Sequence, residues 1–179
     1  MRQPAYDPGR ERRAEIKARE LLRSVIGHDA FRMYRELGFL VVYGGPGDRA
    51  ADESRYGYLI YPHRPLVAFD ARDGRLLNEY CVGFPDHSDS GVGTRLPDSD
   101  DVLAKWIALT SDERRLIADA NMHLPGRQVD PAQVRRDLHR LREWKSRLPV
   151  HSGAHSAPNR PTDPVSAEVP ATGLWGAPA

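Results

Sequence analysis

Cys81 and His87 stand six residues apart, and Asp86 and Asp89 lie on either side of the histidine. A thiolate nucleophile at Cys81 would need a base within hydrogen-bond reach and a third group to orient that base. Neighbours in sequence rarely supply that geometry. Cys81 also sits between Tyr80 and Val82, where a cysteine behaves as a small apolar residue. The same loop, Asp86, His87 and Asp89, with Asp98, Asp100 and Asp101 further on, offers oxygen and imidazole ligands suited to a cation. Its spacing matches neither a calcium loop nor a His-Glu-x-x-His zinc helix. Carboxylates at 98–101 have a simpler use at the start of a helix, where they meet unpaired amides and the positive end of the dipole. Gly91-Val92-Gly93-Thr94 lacks the lysine of a phosphate-binding loop. His28, His63, His123 and His139 are dispersed, with no pair at the four-residue spacing of helical metal ligands. The sequence therefore assigns no catalytic residue, no metal ligand and no cofactor.

Charge and aromatic residues point to contact rather than reaction. The formal net charge is +1, but arginines crowd two segments, one near the N-terminus and one near residue 140. Arg135, Arg136 and Arg142 fall outside the apolar stripe of the later segment and form a candidate face for phosphates or acidic groups. Asp137 and Glu143 interrupt that face. Tyr56, Tyr58 and Tyr61, with Tyr80, lie on strand-like segments and suit an interface, because aromatic side chains carry much of the energy of protein contacts, and they suit the core of a small protein equally well. The expected function is a small non-enzymatic interaction or structural module, an adaptor or assembly component whose partner is another protein. The alternatives are a nucleic-acid-associated protein using its terminal arginines and a hydrolase acting through residues 81–89.

The elements that must position these residues follow from apolar periodicity. Ala14, Ala18, Leu21, Leu22, Val25 and Ile26 recur at helical spacing, and Gly27 ends that run. A second helix is expected from His28 to Leu37, closed by Gly38. Phe39 to Tyr43 is β-branched and aromatic, hence a strand. Strands at 56–61, 66–70 and 76–82 follow, with Arg72-Asp73-Gly74 as a tight turn. In the first of these, Tyr56, Tyr58 and Ile60 alternate with Gly57, Leu59 and Tyr61, so apolar residues fall on both faces. After a loop at 83–97, a helix starts near Asp98 and carries Val102, Leu103, Trp106 and Ile107. Thr110-Ser111-Asp112-Glu113 has the reciprocal pattern of a capping box and predicts a further helix. Asp130-Pro131 predicts the start of a last helix, along which Val134, Leu138, Leu141, Trp144 and Leu148 form one stripe. The predicted fold class is α+β: a small antiparallel β-meander with helices packed on one face. It occupies residues 10–148, between a loose arm at 1–9 and a disordered Pro/Ala/Ser-rich tail at 149–179.

The segment 10–148 is long enough to bury a core without covalent staples. One cysteine allows no intrachain disulfide, which fits a reducing, cytoplasmic setting. No apolar run reaches the ~18 residues of a membrane span, so no membrane partner is expected. Leu21-Leu22-Arg23, Tyr34-Arg35-Glu36-Leu37-Gly38-Phe39, Glu79-Tyr80-Cys81 and Leu96-Pro97-Asp98-Ser99-Asp100 occur in that order. With that succession, residues 14–122 resemble a helix–meander–helix module of uncharacterised bacterial and phage proteins. The resemblance implies the fold and carries no activity with it.

Overall fold

A computed structural model describes residues 9–45, 54–84 and 96–148. The N-terminal helices α1 (Arg10–Ile26) and α2 (His28–Leu37) meet at Gly27, and Gly38 ends α2 in a left-handed conformation that returns its N–H to the Tyr34 carbonyl. Strands β1 (Leu40–Tyr43), β2 (Tyr56–Ile60), β3 (Leu66–Asp70) and β4 (Leu76–Cys81) follow as consecutive antiparallel neighbours. Then come α3 (Asp98–Ser111), α4 (Glu113–Asp119), β5 (Asn121–His123) and α5 (Pro131–Ser146). β5 joins the sheet beside β4, pairing His123 with Glu79 and Met122 with Tyr80, so the order β1-β2-β3-β4-β5 is the chain order.

The α+β class and the antiparallel meander are as the sequence predicts. The arrangement of helices is not, because they cover both faces of the sheet. Leu22 and Ile26 of α1, Tyr34 of α2, and Val102, Leu103 and Leu109 of α3 pack against Leu40, Tyr58, Ile60, Leu66 and Ala68. On the other face Val134, Leu138, Leu141 and Trp144 of α5 pack against Phe39, Leu59, Tyr61, Val67 and Phe69. The central strands explain this. All five residues of β3 are buried, which is what a strand covered on both sides requires. A register shift between Ala68 and Phe69 pairs these residues with Asn78 and Leu76. Leu77 is the extra residue, and Leu76 and Leu77 reach opposite cores.

Two local expectations also change. β5 is absent from the sequence reading; with three residues, and Met122 exposed, it is too short to show alternation. The capping box at 110–113 does not form. α3 continues through Ser111, Thr110 Oγ1 donates back to the Trp106 carbonyl, and Asp112 caps α4 by accepting from Arg115 N at 3.0 Å. The Asp130 cap is present, with Pro131 in the first turn of α5 and Ala132 N donating to Asp130 Oδ1 at 2.9 Å. Residues 1–8 of the arm, the tail from 149 and the loop carrying Asp86, His87, Asp89 and Gly91–Thr94 lie outside the described residues.

Candidate functional site

The tyrosines read from sequence as contact residues belong largely to the interior. Tyr58 and Tyr61 are buried, and Tyr56 is half-buried. The Tyr56 ring lies over Gly44, where any Cβ would overlap it, and stands edge-on to Tyr58 at 5.7 Å. Both hydroxyls donate to one oxygen of Glu113, at 2.7 and 2.9 Å, while the other oxygen accepts from Gly45 N. Glu113 is therefore held by tyrosines of β2 rather than by its own helix end, which is why the capping box fails. On the opposite face Tyr61 donates to Asp137 at 2.8 Å, and Asp137 also accepts from Gln133 and Arg140. Burial first, and the adjacent carboxylate second, push the Tyr56 hydroxyl up to about 12. The same two causes raise Tyr58 and Tyr61 still further. All three stay protonated donors near neutrality and cannot serve there as bases or phenolate nucleophiles.

The other buried ionisable groups are likewise engaged in holding loops. Glu79 on β4 is fully buried and accepts from the amides of Gly126 (2.7 Å), Gln128 (3.0 Å) and Val129 (3.4 Å). Lys105 of α3 donates to the carbonyls of Tyr61 and Arg64 and to Asp101, fastening the β2–β3 turn. Asp101 also accepts from His63 N at 2.7 Å, in a turn where His63 adopts a positive φ of 54°. The His63 ring nitrogen Nε2 approaches Asp98 Oδ1 to 2.9 Å without hydrogen-bond geometry. Cys81 Sγ lies against the side-chain amide of Gln128. Among the described residues, no group of three or more His, Cys, Asp or Glu converges on a site for a metal ion.

The arginines are placed differently. Arg135, Arg136 and Arg142 are all exposed on α5. Arg136 turns back to Gln133 (2.8 Å) and Asp130 (3.6 Å) at the helix start. Arg135 instead lines a shallow depression of about 410 Å³ with Asp73, Gly74, Arg75, Leu76, Pro125 and Pro131. The guanidinium of Arg142 stands at the same turn, since a Cβ on Gly74 would lie 3.7 Å from its Nη2 and 3.1 Å from Leu138 Cδ1. That turn is built by Asp70, whose carboxylate accepts from Arg72 N and the Arg72 guanidinium, and by Gly74 with φ +74°. Arg75 N donates to Asp73 Oδ1, leaving the Arg75 side chain outside, with its Nε 4.0 Å from Asp73. Pro125 is presented by the loop that Glu79 anchors, and Pro131 by the first turn of α5.

Arg135 and Arg142 thus both stand beside the β3–β4 turn, while Arg136 turns back to the helix start. Neither Arg135 nor Arg142 meets a carboxylate among the described residues; their near neighbours Arg136 and Arg140 are paired with Asp130 and Asp137. Sequence reading missed Arg75. The only signal for it was its place after the Asp73-Gly74 turn. Comparison with known protein families, curated proteins and solved structures finds no match to this chain. No helix among the described residues is long and apolar enough to cross a membrane.

Proposed function

We propose that this chain is a non-enzymatic interaction module of the cytoplasm, an adaptor or assembly component that engages another protein. Its contact surface is the depression between the β3–β4 turn and the first turns of α5, with Arg75, Arg135 and Arg142 around it. One observation carries the reading. The buried carboxylates, the buried lysine and the tyrosines of β2 and its C-terminal edge each hold a loop or helix in place, whereas Arg135 and Arg142 are exposed beside a concavity and meet no carboxylate among the described residues. Polar groups saturated by internal hydrogen bonds give architecture. Exposed arginines at a concave surface give recognition.

The test compares the full chain with its Arg135→Glu/Arg142→Glu variant as immobilised baits in host extract. A retained protein is then purified and titrated against both. Loss of affinity by about tenfold or more in the variant is the expected result, since reversing charges at an interface sets like against like. Equal binding by both forms would count against this surface. Nucleic-acid association is the second reading, favoured by the same exposed arginines. Its signature would be a steep fall of affinity with salt on single- or double-stranded DNA.

A further inference from the structure

The depression has a composition that narrows the class of ligand. Its floor and sides are apolar, formed by Leu76, Pro125 and Pro131, with Leu138 beneath Gly74. Arg75 from the hairpin and Arg135 from α5 line the depression, and the Arg142 guanidinium stands next to it, close to the lining residue Gly74. A volume of about 410 Å³ matches one or two side chains rather than the face of a folded domain. Arg135 and Arg142 are two helical turns apart, a rise of roughly 10 Å, and an extended peptide covers that distance in about three to four residues.

Resting on the surface proposed above, we infer that the depression receives an extended acidic peptide in which two carboxylates flank an apolar side chain. The carboxylates pair with the arginine forks, for which guanidinium geometry is suited to two parallel N–H···O bonds. The apolar side chain covers Leu76 and the prolines. A nucleic-acid backbone fits less well, because it needs a continuous basic track. Here Asp73 lines the depression, and Glu143 follows Arg142 on the exposed side of the helix, so the basic track is broken.

The probe is a short acetylated and amidated peptide in which two glutamates flank a leucine, with a single serine between each. It is titrated by fluorescence anisotropy against the full chain. Saturable binding is expected. Replacing both glutamates by glutamine, or the leucine by serine, should each weaken it. Arg135→Glu/Arg142→Glu should reduce affinity by about tenfold or more, and Arg135→Gln/Arg142→Gln by less. All three arginine positions are exposed, so an unchanged thermal midpoint would confirm that both variants fold. Absence of binding, binding indifferent to the arginines, or tighter binding of an oligothymidylate of equal charge would each overturn the inference. If the peptide fails while a host protein is still retained through Arg135 and Arg142, the ligand class falls and the interaction surface stands. If both fail, the surface falls too.

Discussion

Glu113 and Asp137 occupy opposite faces of the sheet; Glu113 accepts the hydroxyls of Tyr56 and Tyr58 on β2, and Asp137 accepts that of Tyr61 just after it. They differ in what else holds their helices. α4 spans seven residues with none fully buried, and only Leu116 and Ile117 reach the core in part. The Glu113 contacts to Tyr56, Tyr58 and Gly45 are therefore a main attachment of that helix to the sheet. α5 buries Val134, Leu138, Leu141 and Trp144 as well as Asp137, and Trp144 Nε1 donates to Glu36 at 2.7 Å. One carboxylate is a tether for a lightly packed element. The other is a fully enclosed polar node within an already docked one. The same chemical contact should thus have local consequences on one face and global ones on the other.

The largest expected effect involves both faces at once. Tyr56, Tyr58 and Tyr61 have raised hydroxyl pKa values in the fold, so they hold their protons where an unfolded chain would release them. Their stabilising share is complete below about pH 10 and is lost as pH rises from there, through about 12 for Tyr56 and at still higher pH for Tyr58 and Tyr61. An ultraviolet tyrosinate titration should show ionisation of these groups coinciding with unfolding. Ionisation in a folded chain at the ordinary tyrosine pKa would contradict the geometry.

Asp137→Ala comes next. It strands the Tyr61 hydroxyl in the interior and removes the partners of Gln133 and Arg140, at a cost of ~2–3 kcal/mol in chemical denaturation. Glu113→Ala should cost ~1 kcal/mol globally, because water reaches its half-buried site. Its mark should be faster amide exchange confined to α4 and its flanks. Equal global losses from the two variants would erase the distinction between tether and node. Asp130→Ala gives a similarly small global change, ~1 kcal/mol for one lost helix cap, with the most confined mark, fraying limited to the first turn of α5.

Much of the fold was legible because its signals are local. The glycines after α1 and α2, the apolar stripe of α5, the Asp130-Pro131 start and the Arg72-Asp73-Gly74 turn all depend on residues a few positions apart. The bonds that organise the interior are of another kind. Glu79 meets Gly126 across 47 positions, Tyr61 meets Asp137 across 76, and Trp144 meets Glu36 across 108. No spacing rule reaches that far. Aromatic type also cannot say which way a strand side chain turns, so Tyr58 and Tyr61 suited surface and core equally, and they are core. The arginine site was legible in part. Helical period put Arg135 and Arg142 on one side, but the turn that brings Arg75 beside them is a tertiary event.

The placement of α5 at the end of the described chain has a consequence for a nascent polypeptide. β1 to β4 are linked by successive neighbours and can pair as they leave the ribosome. One face of that sheet, with Leu59, Val67 and Phe69, must then wait for Val134 to Trp144 to be made. Synthesis at ~5–20 residues per second makes that delay several seconds, during which the sheet presents an uncovered apolar surface. The opposite face, closed by α1 and α2 that are already complete and by the earlier α3, has a shorter exposure. The chain is therefore most open to capture by chaperones, or to aggregation, on the side that its last helix finally seals.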